Sequence, residues 1–326
     1  EITAGAVISG AYFGDKLSPL SDTTNLAAAA VGVDLFEHIK NMLWTTLPAF
    51  LAALLIVSFI GSENAATPDN ITEIRSALAG QFAISPWVLS PLGLMLGLIY
   101  FRVPAYPSIL ICTLSGTLYA AAFQTDVVRA LALAAHPNSP APLIQGLWIT
   151  LFSGYQSPEG MGELSKLLDK GGLASMLNTI FLILTALTFG GMLDSTGILR
   201  QLLDQVLRGV KRTGDLILAT VGSGFITNAL AADQFLAITL PGRLFTGAYD
   251  NRGLNRLSLS RTLEDSATLT SVLIPWNTCG AFMTATLGVA TFEYAPYALF
   301  NLICPVLAVI FGYLMIAQPR VEAASA

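Results

Sequence analysis

The chain has 326 residues, of which 54% are hydrophobic and 11% charged, and its formal net charge is −5. Soluble domains carry about 25% charged residues, so with a mean hydropathy of +0.66 an ordinary water-soluble domain is excluded. The absence of a basic tract excludes a nucleic-acid partner, and three scattered cysteines (Cys112, Cys279, Cys304) with two unpaired histidines (His38, His136) exclude a Cys/His metal centre.

A bilayer demands roughly 20 apolar residues of a spanning helix, and several runs meet that length. In chain order, residues 3–33 read as an apolar segment interrupted by FGDKLSPLSDTTN (13–25), and MLWTTLPAFLAALLIVSFIG (42–61) as a full span. A polar loop follows, then shorter spans at about 87–101 and 104–123, separated by Arg102 and Val103. Within 124–170 lie a short helical pattern, VVRALALAA, a turn at HPNSPAP, and LIQGLWITLF, which is too short to span alone and reads as interfacial or re-entrant. A full span occupies 173–193, and ILRQLLDQVLRGVKR has the spacing of a surface-lying linker helix.

The run 215–245 is long enough to span, yet Gly222, Gly224 and Thr227-Asn228 interrupt it. Arg200, Arg208, Lys211 and Arg212 precede it; Arg243, Arg252, Arg256 and Arg261 follow it. Basic flanks stay cytoplasmic, so both ends fall on one side, which predicts a re-entrant hairpin with its tip near Thr227–Asn228. Carried through the other spans, this assignment puts Lys40, Arg102 and Arg320 inside, and Glu63, Asp69 and Glu73 outside. A segment 256–290 and a last span within 295–317 complete the chain.

The chain also repeats itself. LSPLSDTTNLAAAAVGVDLFE (17–37) lies on LIPWNTCGAFMTATLGVATFE (273–293) without a gap, matching Pro19 with Pro275, Gly32 with Gly288, and Phe36-Glu37 with Phe292-Glu293. An odd number of predicted crossings separates the copies, so they are expected to be inverted, the architecture of secondary transporters. The expected fold is therefore an all-α membrane protein, an inverted-repeat transporter with broken transmembrane helices and a re-entrant hairpin. Its expected divisions are 1–61 (end of the first repeat), 62–172 (connecting spans and loops) and 173–326 (second repeat). The first-copy counterpart of the hairpin falls ahead of Glu1, which predicts about one hairpin and further spans preceding this sequence in the natural protein.

A carboxylate at the centre of a membrane helix costs about 2.5–3.5 kcal/mol, and it persists when it pairs, faces water or binds something. Asp15, Lys16 and Asp22 surround Pro19, which cannot donate a helix hydrogen bond. The backbone carbonyls freed there are tolerated only against a cavity or a ligand. Ser18, Ser21, Thr23, Thr24 and Asn25 add neutral oxygens. One anionic oxygen among several neutral ones suits a hard cation stripped of water, and a carboxylate also takes a proton. Competition for Asp22 is thus the simplest basis for exchanging Na+ against H+. In the second copy Thr278 replaces Asp22 and follows Asn277, while Glu264, Asp265, Thr227, Asn228 and Asp233 are further candidates for cation or proton binding. Structural readings stand beside these: an Asp15–Lys16 ion pair, Asp22 as a helix cap, Glu264 and Asp265 paired with Arg261, and Asp233 capping the returning arm of the hairpin.

SGAYFGDKLSPLSDTTNLAA resembles the signature of NhaC-type sodium/proton antiporters, a branch of the ion-transporter superfamily that includes exchangers of malate and protons for sodium and lactate. FITNALAADQFLAITLPGRLF and SRTLEDSATLTSVLIPWNTCGAFM resemble the family's second half. The resemblance implies cation/proton exchange in the bacterial inner membrane, with Na+ and H+ as cargo and no cofactor, by two inverted repeats. More distantly it implies dimers. It also implies sodium where a polar hairpin tip meets a helix break: Asn277-Thr278 with Thr227-Asn228, and Asp22 to Asn25 with a first hairpin. An organic-acid cargo and a non-transporting truncated fragment are the alternatives. An intramembrane aspartyl protease is disfavoured, because Gly14-Asp15 lacks the Gly-x-Gly-Asp pattern and Tyr249-Asp250 falls in a polar loop.

Overall fold

The computed structural model describes residues 1–62, 75–76, 78–101, 103–157, 165, 168–169 and 171–318. Among these the regular structure is entirely helical. Among the described residues four helices are long and apolar enough to cross a membrane, and a fifth is added if one bent pair counts as a span. The protein is an all-α membrane protein. The residues fall into two compact units, 1–64 with 178–326, and 65–177. Glu63, Asp69, Glu73, Arg102 and Arg320, used in the sidedness expectation, lie outside the described residues.

In the first unit α1 (Ile2–Leu17) stops at Ser18, whose backbone is extended. Pro19 lies in the break that follows, where its missing N–H interrupts no ladder. Extended Ser21 precedes α2 (Asp22–Val31), whose alanine run favours helix and which ends at Gly32 with φ 73°, a left-handed position that glycine adopts without strain. Then α3 (Leu35–Ser62) runs 28 residues through an internal Pro48. The expected span 42–61 thus begins about two turns earlier, and His38 near its start is buried, its Nδ1 2.8 Å from Ser260 Oγ.

The second unit holds a 3-10 turn (Pro86–Leu89), α4 (Ser90–Tyr100), α5 (Ala105–Phe123), α6 (Thr125–Ala135) and α7 (Pro142–Ser153). The last two pack closely: a Cβ on Gly146 would lie 2.1 Å from the Val128 carbonyl oxygen. Gln124 at the start of α6 closes two hydrogen bonds with the backbone of Ala83, at 3.0 and 3.1 Å.

The chain leaves that unit within α8 (Leu173–Ser195). The amphipathic α9 (Ile198–Arg208) buries Leu199 and Leu203. Next come α10 (Thr213–Ala231) and α11 (Gln234–Asp250), packed against each other, with Thr220 Oγ1 3.0 Å from Tyr249 OH across the pair. These residues lie on either side of the connection, so the arms are antiparallel and form a hairpin. Its tip is Ala232-Asp233, five residues beyond the expected Thr227–Asn228. The helix passes through Gly222, Gly224, Thr227 and Asn228 because packing overrides the weak propensity of those residues. Ala232 turns left-handed (φ 56°), and Asp233 Oδ1 caps α11 by accepting from Leu236 N at 2.6 Å.

The second broken helix comprises α12 (Arg256–Leu263), a π-helical turn (Glu264–Thr268), α13 (Leu269–Ser271), a break to Asn277, and α14 (Thr278–Leu287), closed by Gly288 at φ 69°. Then follow α15 (Thr291–Tyr294), a 3-10 turn (Ala295–Tyr297) containing Pro296, and α16 (Leu299–Leu314), with a bend of 59° between them. The repeat is thereby visible in the backbone: α2 and α14 coincide residue for residue at the offset that carries Gly32 onto Gly288. Packing is reciprocal, α1 lying on α16 and α12 on α3. Two copies related by a pseudo-two-fold axis meet in this way. An aromatic trio seals one such contact: Phe13 stacks on Phe50 at 3.8 Å between ring centres, and Phe300 meets both edge-on.

Gly32→Ala and Gly288→Ala should each cost about 1–2 kcal/mol, the strain of placing a Cβ in the left-handed region. Thermal unfolding in detergent measures this, and a loss confined to one of the two would contradict their equivalence.

Candidate functional site

Neighbouring residues on an α-helix point about 100° apart. At the end of α1, Asp15 therefore faces outward while Lys16 turns inward and is fully buried. The Lys16 ammonium forms a hydrogen-bonded ion pair with Oδ1 of Asp265, in the π turn, which is also fully buried. Thr45 Oγ1 of α3 donates to the same oxygen at 3.0 Å and Cys304 Sγ of α16 at 3.3 Å. Lys16 Nζ also lies 3.4 Å from that sulfur. Three elements thus converge on one carboxylate oxygen held by a fourth, two of the four coming from each copy. The Lys16 carbonyl, freed at the first break, accepts from Thr24 Oγ1 at 3.1 Å.

Glu264 stands beside this pair, fully buried, and neither carboxyl oxygen has a hydrogen-bond partner among the described residues. Thr268, four residues on, lies next to it without closing a hydrogen bond. Arg261, 1% exposed, turns the other way, donating to Asn41 Oδ1 at 3.2 Å and to the Ala317 carbonyl at 2.7 Å. Pairing of Glu264 or Asp265 with Arg261 is not found, and Arg261 is an interior residue rather than an exposed flank. The other ion pair among the described residues, Arg256–Asp250 at 2.7 Å, joins the exposed end of α11 to the first residue of α12, where the guanidinium holds the Asp250 carboxyl below the usual carboxylate range.

The hairpin closes on the second break through polar contacts. Asn277 Nδ2 donates to Asn228 O (3.2 Å) and Oδ1 (3.1 Å), and Thr278 N donates to Ala232 O at 3.1 Å. Asn228 Nδ2 reaches the Ala267 carbonyl at 2.6 Å, and Trp276 Nε1 reaches Ala229 O at 2.7 Å. Asn277 Oδ1 in turn caps α14, accepting from Cys279 N at 3.1 Å. The hairpin thus answers the Thr278 N–H and the Ala267 carbonyl, while Tyr294 OH donates to the Val272 carbonyl at 2.7 Å and Asn301 Nδ2 to the Leu269 carbonyl at 3.0 Å.

The first break presents a different face. Asp15, Asp22 and Asn25 are exposed on this chain, whereas Thr23 and Thr24 are buried. Asp22 Oδ1 accepts from Thr23 N at 2.9 Å, Thr23 Oγ1 lies 3.0 Å from Ser21 Oγ and 3.5 Å from Asp15 Oδ2, and Asn25 Nδ2 donates to Pro19 O and Ser21 O. Asp22 and Asp15 therefore share the exposed first break, whereas Glu264, Asp265, Thr227, Asn228 and Asn277, which the second copy and the hairpin supply, are fully buried and Thr278 is half-buried. Asp233 caps the hairpin's second arm.

Three members of the buried centre escape sequence reasoning: Lys16 as the partner of Asp265, and Thr45 and Cys304. The helical angle between adjacent residues was the available signal for Lys16, since residues i and i+1 do not face each other. Thr45 and Cys304 carry no such signal, being ordinary residues in apolar runs.

The family model described as the Na+/H+ antiporter family matches residues 10–316. The chain is 39% identical over 318 residues to the Na+/H+ antiporter NhaC of Alkalihalophilus pseudofirmus, covering 96% of this chain and 65% of that protein. It is 36% identical over 317 residues to NhaC of Bacillus subtilis, with 96% and 66% covered. To the malate-2H+/Na+-lactate antiporter of B. subtilis it is 33% identical over 316 residues, with 96% and 64% covered. The chain thus spans about two thirds of the length of these relatives, and no solved structure matches it significantly. From its buried ionic centre, its broken helices and these relatives together, the chain belongs to the Na+/H+ antiporter family.

Proposed function

We propose that the protein is part of a secondary transporter of the cell inner membrane that exchanges Na+ for H+, and that the carboxylate in a broken helix serving either ion is Glu264 rather than Asp22. The observation that carries this reading is the Glu264 carboxyl, buried without a partner beside an ion pair that is already matched. An isolated charge in such a place is untenable, so the group takes up a proton or a cation. Each neutralises it equally, and they exclude each other. A proton released to one side lets Na+ enter from that side, and a proton arriving from the other expels it. The Lys16–Asp265 pair holds the copies together around this exchange and keeps a second carboxylate charged but occupied. The relatives named as Na+/H+ antiporters support the cargo. The relative named as a malate-2H+/Na+-lactate antiporter supports a second reading, in which an organic acid accompanies the cations.

Everted vesicles bearing the full-length protein should show Na+-dependent collapse of a pH gradient. Glu264→Gln should abolish it, whereas Asp22→Asn should retain it. A Glu264→Gln protein present at normal amount and exchanging normally would refute the assignment. Because one group serves both ions, the apparent KM for Na+ should fall by about tenfold per pH unit while that group is protonated. Labelled malate or lactate in proteoliposomes distinguishes the second reading.

Removing one member of a buried ion pair costs about 3–5 kcal/mol, and removing both costs far less. Lys16→Met should therefore lower the melting temperature strongly, and adding Asp265→Leu should recover most of the loss. Additive losses would show that the two charges do not depend on each other.

A further inference from the structure

Helical serine and threonine hydroxyls buried in apolar surroundings ordinarily donate to the carbonyl four residues back. Thr220 does so to Leu216 at 2.9 Å, Thr262 to Ser258 at 2.7 Å, and Ser266 to Thr262 at 2.6 Å. Three fully buried hydroxyls nearby do not: Ser223 and Thr227 on the first arm of the hairpin, and Thr268 on the π turn have no partner among the described residues. All three belong to elements that pack on each other. Gly224 makes the approach possible, since a Cβ there would lie 2.9 Å from Ser266 Oγ and 3.1 Å from Ala267 N. Ser223 and Thr227 are one turn apart, as are Glu264 and Thr268, so each of the two touching elements carries a pair of unpartnered buried oxygens beside a contact that has no room for a side chain.

From this we infer that the dehydrated alkali cation is held between the hairpin's first arm and the π turn, by the Glu264 carboxylate with the hydroxyls of Thr268, Ser223 and Thr227. The inference rests on the exchange reading above and supplies its ligands. The amide oxygens of Asn228 and Asn277 are already engaged, the first accepting from Asn277 Nδ2 and the second capping α14. Asp265 Oδ1 is engaged by Lys16, Thr45 and Cys304; its Oδ2 is buried without a partner, but that carboxylate's charge is already matched by Lys16. The unengaged oxygens are the ones a small hard cation takes: one anionic and several neutral, at a point where the local helix has widened to five-residue hydrogen bonding. π turns of this kind occur often at functional sites. No charge beyond Glu264 is needed to balance one monovalent ion, so Na+ or Li+ fits this set and a divalent ion does not.

The test is direct binding of radioactive Na+ to purified full-length protein, alongside exchange in proteoliposomes. Thr227→Val and Thr268→Val remove a ligand without altering size or charge, and each should weaken Na+ binding by about tenfold, the loss expected for one oxygen contact to a charged group. Thr227→Ser, which keeps the hydroxyl, should restore it. A monodisperse elution profile confirms that each variant is folded. If the wild type exchanges Na+ for H+ but both valine variants bind Na+ within about twofold of it, the ligand assignment is overturned and the exchange reading stands. If the wild type binds no Na+ at all, both fall.

Discussion

The charge pairing of Lys16 with Asp265 is the constraint on which the rest of the first unit's interior depends. Each ion alone would carry a desolvation cost of several kcal/mol, so neither copy of the repeat can be assembled stably without the other. The pair is also asymmetric. Lys16 comes from the end of the first broken helix, where the chain is about to lose its helical hydrogen bonds, while Asp265 comes from the interior of the second, where the helix widens. Thr45 and Cys304 fill the remaining directions around Oδ1. The ionic contact therefore also fixes the rotation of α3 and α16 about their axes.

Around that contact the two breaks have been put to different uses. The second break is closed by the hairpin, whose backbone oxygens accept from Thr278 N, Asn277 Nδ2 and Trp276 Nε1. The first is closed by itself, Asn25 reaching back to Pro19 and Ser21 and Thr24 to Lys16, with its acidic residues left on the surface of this chain. Equal backbones thus carry unequal chemistry. The replacement of Asp22 by Thr278 at the matching position is the sequence trace of that difference.

Much of this was legible in the sequence. Composition implied a helical membrane protein, and the gapless match of 17–37 with 273–293 located both breaks and both closing glycines to the residue. What was not legible depends on rotation and on distance along the chain. Asp15 and Lys16 are adjacent letters, and only the helix's angular step decides that one faces out and the other in. Arg261 reads as a cytoplasmic flank until the C-terminal segment is seen to supply Ala317 O to it. The hairpin tip was placed five residues early because Gly222, Gly224 and Asn228 look like helix breakers. In the structure Gly224 and Asn228 are the residues that let the arm lie against the π turn, and Gly222 faces open space.

One difference between the copies reaches beyond packing. Pro296 stands where the first copy has Lys40, and the chain bends by 59° after it, whereas α3 continues unbroken through the corresponding register. A machine built from two interchangeable halves would rest with equal ease facing either side. With a bend in one copy and an unbroken helix in the other, these two halves are not interchangeable, and their equivalence ends at the closing glycines.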